Sequence, residues 1–204
     1  MRIILSRKGF DSSSGGCPSP ILPNGQLRSL PIPECCSNIK YSQIYADDDY
    51  PTGAIIESLT KCKRCGVPSI AKSTTAHLDP DIDKKTLARE SGWRGLFGQS
   101  GNAQSELREV TEGDLFLFLG VFQKTTGDNV KSLQFTKGEA KKHVIFGWLQ
   151  VGQIIDLVKN PGTAPSWSRY HPHIASAQPG VKQNTLYIAR EKLNIPGTET
   201  KLPG

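Results

Sequence analysis

The feature that most constrains the fold is a run of eight residues, 115–122, that is apolar at every position except Gly120. A second run, 144–151, has the same character and also contains a glycine next to an aromatic residue. Short apolar runs bounded by turn residues are typical of strands buried on both faces, and a glycine inside such a strand allows it to curve. We predict that both runs are strands and that they pair with each other.

The rest of the chain is rich in turns. Its 204 residues include 20 glycines and 14 prolines, which indicates short elements joined by loops. Further strands are predicted at residues 2–5 and 185–189. The prolines of residues 18–33 exclude a helix there, and Gly25 supplies the positive φ of a tight turn, so this segment is predicted to be a short hairpin.

Helices are predicted at three places. Residues 52–60 have a weak helical pattern. A second helix is predicted from Pro80 to about residue 91, because proline is favoured at the first helical position and Asp79 can accept hydrogen bonds from the free backbone donors. A third helix, at 102–110, is predicted to follow a glycine-rich loop. We interpret residues 1–204 as a single domain in which residues 34–76 form an insertion or lid.

The formal charge of +6 favours polyanions such as nucleic acid, although a mildly basic protein without such a partner has the same balance. No segment approaches the roughly 20 apolar residues that a membrane-spanning helix needs. The apolar part of the first ten residues is too short for a signal peptide. We therefore predict a cytoplasmic protein whose five cysteines are thiols or metal ligands.

The segment that follows the first predicted strand, "SRKGFDSSSGGCPSP", combines charged residues with glycines and serines. It is predicted to be a ligand cradle or a flexible linker, since a Ser/Gly run serves either role. A second loop, "FGQSGNAQ", precedes a predicted helix N-terminus, where free N–H groups favour an anion. It lacks the lysine of a phosphate-binding P-loop, and simple helix capping by Ser100 or Asn102 explains it equally well.

Histidines occur in two short motifs. In "HLDPD", His77, Asp79 and Asp81 have a spacing that can bind a divalent ion or supply a base with its orienting partner, while helix capping accounts for the two acids alone. In "HPH", His171 and His173 lie on one side of an extended segment, which suits metal or phosphate contacts. The sequence offers no fixed third ligand, and a surface loop is the alternative.

The segment "KCKRCG" has the form of half a zinc knuckle. A knuckle needs two more ligands, and Cys35 and Cys36 are adjacent, which is a poor spacing for a chelate. We therefore assign no metal site from the sequence, and Cys62 and Cys65 are the remaining metal candidates.

Taken in order, the opening loop, "HLDPD", "FGQSGNAQ", "GDLFLFLG", "HVIFGWLQVG" and "HPH" resemble the nucleotide modification associated domain of the third type. The resemblance extends over nearly the whole chain. It implies a role in systems that alter nucleic-acid bases. It also implies a set of shared polar positions, which are Arg7, Lys8, Asp11, Ser13, Gly15, Gly16, His77, Asp79, Asp81, Gln99, Asn102, Gln104, His143, Gln150, His171 and His173.

The paired central strands are also similar to those of PUA-like barrels, including EVE and ASCH domains, which bind modified or flipped bases. This similarity is one of fold and does not determine function. Combined with the turn-rich composition, it predicts an α+β protein built as a strand-rich PUA-like barrel or curved sheet, with a few short helices and long loops.

We predict an enzyme or enzyme component that acts on a nucleotide or a nucleic-acid base, with no cofactor assigned. The predicted catalytic residues are Asp11, His77 and Asp79, with an acid as base or orienter and His77 as proton shuttle. Arg7 and Lys8 are predicted to bind phosphate, and Gln99 with Asn102 to read an amide edge. The other predicted substrate-binding residues are Ser13, Gly16, Gln104, His171 and His173.

Two alternatives remain open from the sequence. The first is a reader that binds a modified base without changing it, using Trp93, Trp148 and Trp167 for stacking. The second is an interaction protein stabilised by zinc. The enzyme hypothesis requires that the opening loop, "HLDPD" and "FGQSGNAQ" converge on one concave surface.

Overall fold

A computed structural model describes residues 1–61, 69–175, 180–198 and 200–204 of the chain. The described strands form a seven-stranded mixed sheet and a small two-stranded sheet. The strands are β1 (Ile3–Arg7), β2 (Ser19–Ile21), β3 (Ile32–Pro33), β4 (Ala76–His77), β5 (Leu96–Ser100), β6 (Leu115–Thr126), β7 (Gln134–Phe135), β8 (Lys142–Asp156) and β9 (Asn184–Ala189). The α-helices are α1 (Thr52–Thr60), α2 (Gly101–Ser105) and α3 (Pro172–Ala175).

The two apolar runs form the centre of the larger sheet, as predicted. Strands β6 and β8 pair antiparallel, and the main strand order is β1-β6-β8-β9-β5. Strands β1 and β2 run parallel to β6, whereas β9 pairs antiparallel with both β8 and β5. The predicted strands at 2–5 and 185–189 are confirmed as β1 and β9.

Aromatic side chains fill the core of this sheet. Phe97, Phe116, Phe118 and Tyr187 are buried together, with ring centroids 4.8–6.2 Å apart within the group. Each such ring removes a large apolar area from water, so this cluster ties β5, β6 and β9 into one layer. The edge strand β5 is thereby held at a defined position, which matters for the site described below.

A second core cluster joins the opening loop to the segment 34–76. Phe10 and Leu30 are fully buried, and they belong to the same cluster as Tyr41, Ile55 and Ile56. Helix α1 is confirmed where the weak helical pattern predicted it. The hairpin predicted within residues 18–33 is present as a tight turn at Gly25, whose φ is +84°.

Three local predictions are wrong. No helix begins at Pro80; instead the backbones of Asp81 and Leu96 exchange two 2.8 Å hydrogen bonds. The Asp79 carboxylate accepts from Gly98 N of β5 rather than capping a helix. Residues 96–100 are a strand and not a loop, because all five pair antiparallel with β9. The helix predicted at 102–110 is reduced to the single short α2.

The α+β class is confirmed, with short helices around a mixed sheet. Of the two architectures predicted, the described strands form an open sheet rather than a closed barrel. Among the described helices, none has the length and apolar character to span a bilayer.

Candidate functional site

The candidate site is centred on Asp79, whose side chain is completely buried. Gly98 N of β5 donates to its Oδ1 at 2.7 Å, and Lys8 Nζ approaches its Oδ2 at 3.3 Å. Lys8 also contacts Gln99 Oε1 at 3.3 Å. The opening loop, "HLDPD" and "FGQSGNAQ" therefore meet at one carboxylate.

The fold explains this convergence. Lys8 follows the end of β1, which is parallel to the central strand β6. His77 ends β4, and Asp79 lies two residues further along the chain. Strand β5 contributes Gly98 and Gln99 from the edge of the sheet. Since loops at strand ends carry side chains that the core does not need, this is where a site is expected.

Three imidazoles surround the carboxylate. Nε2 of His77 lies 3.8 Å from Asp79 Oδ2, and Nε2 of His173 lies 4.0 Å from the same oxygen. Nε2 of His171 lies 3.4 Å from Oδ1 without a hydrogen bond between the two atoms. We call Lys8, His77, Asp79, His171 and His173 the Asp79 cluster.

Hydrogen bonds on the far side of the rings determine which nitrogen carries the proton. Nδ1 of His77 lies 2.8 Å from Glu34 Oε2, and an ionised carboxylate can only accept, so Nδ1–H is the donor. Asn184 donates its Nδ2–H to the carbonyl of His173, which directs Asn184 Oδ1 to the His173 ring at 2.9 Å. His173 Nδ1 must then donate as well. In neutral rings, both Nε2 atoms that face Asp79 carry lone pairs.

Burial and charge act on the protonation of the cluster in different ways. Burial by itself raises the pKa of Asp79, but the Lys8 ammonium beside it holds the pKa well below the usual range of a carboxyl. Burial lowers the pKa of His173 to about 4 against the attraction of Asp79. The cluster therefore contains an ionised carboxylate and a neutral His173 ring at neutral pH.

Gly98 creates the space that His173 occupies. A Cβ built on Gly98 would lie 2.2 Å from Cδ2 of the His173 ring and 2.3 Å from its Cγ. Side chains do not approach one another this closely, so a glycine is required for the imidazole to pack against β5. The same glycine donates the backbone N–H that holds Asp79.

A cavity of about 540 Å³ adjoins the cluster. Leu78, Asp79 and Pro80 form part of its wall, so the segment after His77 separates the cavity from the imidazoles. The remaining lining combines aromatic side chains with cationic ones. Those residues include Tyr45, Trp93, Phe146, Trp148, Arg94 and Arg190. A volume of this order, with aromatic walls and a few charged groups, is typical of a small-molecule site.

Asp81 supports the wall of this cavity rather than the cluster. Arg89 donates to both carboxylate oxygens of Asp81, and Tyr170 donates its O–H to Oδ2 at 2.6 Å. Trp93 Nε1 in turn donates to the Tyr170 oxygen at 2.7 Å. This buried network holds the Trp93 ring, over which the Arg89 guanidinium stacks at 4.1 Å from the ring centroid.

Part of the predicted site lies elsewhere. Asp11 pairs with Arg7 at 2.8 Å and accepts hydrogen bonds from Ser13 and Ser14, so it orders its own loop. Burial raises the pKa of Asp11, but these hydrogen bonds lower it below its usual value. Gly16 allows the loop a φ of +79°.

The helix α2 and the later strands place the other predicted residues. Asn102 is exposed, whereas Gln104 is buried and contacts the Tyr187 hydroxyl at 3.0 Å. His143 is exposed on β8 and is not a member of the Asp79 cluster. Trp167 packs against the core beside β5. Cys62 and Cys65, the zinc-knuckle pair, lie outside the described residues.

Sequence reasoning did not identify Glu34, Asn184 or the special role of Gly98. Glu34 follows β3 and reaches His77 through the pairing of β3 with β4, whereas Asn184 begins β9 and contacts His173 on α3. Neither residue lies in the sequence motif that contains its histidine partner. Gly98, in the "FGQ" stretch, indicates close packing, but the sequence alone does not identify the side chain that packs there.

The fold and the site together define an α+β protein in which a buried carboxylate is surrounded by imidazoles beside an aromatic-lined cavity. A sequence profile of the family described as nucleotide modification associated domain 3 matches residues 2–202. The chain belongs to this family, as its motifs predicted, and is thereby associated with nucleotide modification. Comparison with curated proteins and with solved structures gave no match.

Proposed function

We propose that the protein is an enzyme of a nucleotide modification system that acts on a nucleotide or a nucleic-acid base, with the Asp79 cluster as its reactive centre. The observation that carries the proposal is the convergence of Lys8 and two imidazoles, those of His77 and His173, on the buried carboxylate of Asp79. A hydrophobic core has no need of such a group, and burying charged and polar side chains costs free energy, so their presence here favours a functional role.

The proposed substrate pocket is the cavity of about 540 Å³ that adjoins the cluster, which we call the Trp93 cavity. Aromatic rings stack on nucleobases, and the guanidinium groups of Arg94 and Arg190 suit phosphate or carbonyl oxygens. Asp79 belongs to both the cavity wall and the cluster, so the proposed pocket and the reactive centre share the segment 78–80. Lys8 and Gln99 are proposed to contact the substrate from the other side of Asp79.

Catalysis would use the exposed edge of the cluster. The His77 side chain is 21% exposed, whereas His171 is completely buried, so His77 is the imidazole that substrate or solvent reaches. Glu34 orients the His77 ring and stabilises positive charge on it. Asp11 has no part in this arrangement, because its contacts lie within its own loop.

The test separates binding from chemistry. Nucleoside monophosphates and short single-stranded DNA are titrated into the protein by calorimetry, and Trp93→Ala is expected to weaken binding about 5- to 100-fold through lost stacking. The same substrates are then incubated with protein and the small-molecule fraction of a cell extract, and the products are analysed by mass spectrometry. His77→Ala is expected to abolish a new product without abolishing binding, while His143→Ala leaves it unchanged.

A reader of modified bases is the second candidate, favoured by the two tryptophans in the cavity wall. It predicts binding that depends on Trp93 and no product with any variant. Failure of every nucleotide and nucleic acid to bind the wild-type protein would contradict both functions.

A further inference from the structure

Three atoms of ligand type face one another in the Asp79 cluster. One ligand atom each from His77, Asp79 and His173 lies within 4.8 Å of the other two, and the Nε2 atoms of both rings lie 3.8 and 4.0 Å from Asp79 Oδ2. Glu34 and Asn184 hold the protons of the two imidazoles on the opposite ring nitrogens. In the neutral rings these nitrogens carry lone pairs that can coordinate a cation together with the Asp79 oxygen, which the Lys8 ammonium also approaches at 3.3 Å.

We propose that the Asp79 cluster binds one divalent transition-metal ion through His77 Nε2, Asp79 Oδ2 and His173 Nε2. The proposal deepens the proposed function. The role of the ion in catalysis rests on that function, whereas the binding of the ion does not. The two ideas can fail separately, because metal binding is measured without nucleotide and nucleotide binding depends on the Trp93 cavity.

The donor set indicates the kind of ion. Imidazole nitrogen suits zinc, iron, nickel and copper, whereas magnesium and calcium prefer sites made of oxygen. Bonds of about 2.0–2.1 Å place the ligand atoms of a tetrahedral zinc site about 3.4 Å apart. The observed separations from Oδ2 are 3.8 and 4.0 Å, so small inward movements of the two rings complete the site.

The surroundings have the features of an outer shell around a metal. Histidine ligands in metalloproteins donate their other ring N–H to a carboxylate, amide or carbonyl group. Here Glu34 accepts the hydrogen bond of His77 Nδ1–H, and Asn184 accepts that of His173 Nδ1–H. Gly98 N holds Asp79 Oδ1, which leaves Oδ2 as the oxygen that faces the two rings.

His171 provides an independent observation. It is completely buried, and neither ring nitrogen has a hydrogen-bond partner among the described residues. Burying a ring without hydrogen bonds costs free energy, and its Nε2 lies 3.4 Å from Asp79 Oδ1, so His171 is a third imidazole held beside the carboxylate. Two imidazoles and one carboxylate also leave coordination positions for water or substrate.

The test uses Zn²⁺ and Co²⁺ alone, added to the full chain carrying Cys62→Ser and Cys65→Ser, which removes the alternative sulfur site. One equivalent of Zn²⁺ per chain is expected by calorimetry. His77→Ala and His173→Ala are each expected to reduce the affinity at least 100-fold, and Glu34→Ala about 10- to 100-fold. His143→Ala, which removes an exposed histidine outside the cluster, keeps the wild-type affinity.

Circular dichroism and thermal unfolding check that each variant is folded. If His173→Ala does not fold, His77→Ala and Glu34→Ala still test the proposal, because both side chains are partly exposed. The Co²⁺ absorption spectrum is expected to show nitrogen and oxygen ligation. The proposal is overturned if the protein binds no equivalent of metal, or if folded His77→Ala and Glu34→Ala bind with wild-type affinity.

Discussion

Replacing Gly98 with alanine tests the packing that places His173 in the cluster. The new Cβ would lie 2.2 Å from His173 Cδ2, and ordinary contact begins at 3.4 Å, so the ring must retreat by about 1.2 Å. The ring cannot rotate freely in place, because Asn184 contacts both its Nδ1 and its backbone carbonyl. The strain therefore falls on the position of Nε2 relative to Asp79.

The structure allows the size of the effect to be worked out. Overpacking of a buried site costs about 1–3 kcal/mol. For a chain of this size, each 1 kcal/mol lowers Tm by about 2–4 °C. Metal sites tolerate deviations of only about 0.2 Å in ligand distance, so a displaced His173 no longer coordinates. Losing one of three ligands is expected to weaken Zn²⁺ binding by at least about 100-fold, more than the loss of an outer-shell partner.

The assay combines thermal unfolding with Zn²⁺ titration of Gly98→Ala and of Gly162→Ala. A Cβ on Gly162 meets no atom within 4 Å, so this control adds the same methyl group in open space. It is expected to keep the wild-type Tm and Zn²⁺ affinity. Wild-type affinity in folded Gly98→Ala would refute the reasoning, because the ring would then have reached its position despite the added methyl.

Three further predictions follow from the same contacts. Lys8→Met removes an ammonium 3.3 Å from Asp79 Oδ2 and is expected to raise Zn²⁺ affinity at least about threefold by relieving charge repulsion; weaker binding would contradict this. Asp11→Asn is expected to leave the affinity within about twofold, and a tenfold loss would show that Asp11 itself acts on the cluster. In urea unfolding, Arg89→Leu is expected to cost about 3–5 kcal/mol by leaving buried Asp81 unpaired. Arg2→Leu breaks an exposed pair with Glu109 and is expected to cost less than about 1 kcal/mol; equal losses would contradict the assignment.

The strands were predictable because their signal is local. An apolar run such as residues 115–122 predicts a buried strand without knowledge of its partner, and strand β6 forms there. The helix predicted at Pro80 was wrong for the opposite reason. Capping preferences are worth about 1 kcal/mol, and the bonds that Asp79 and Asp81 make with β5 outweigh them. Local rules fail where a distant strand offers stronger partners.

The amino-acid sequence by itself determined the strand-rich α+β class, the family and the polar motifs from which the cluster is built. Only the tertiary structure decided which members of those motifs meet. His77 is two residues from Asp79 in the chain, whereas His173 comes from α3 and reaches Asp79 by packing against Gly98 of β5; Asp11 stays in its own loop. Glu34 and Asn184, which determine the tautomers, are visible only in three dimensions. The physical reason is that hydrophobic periodicity is encoded locally, whereas a site depends on distances between strands that the whole core must establish.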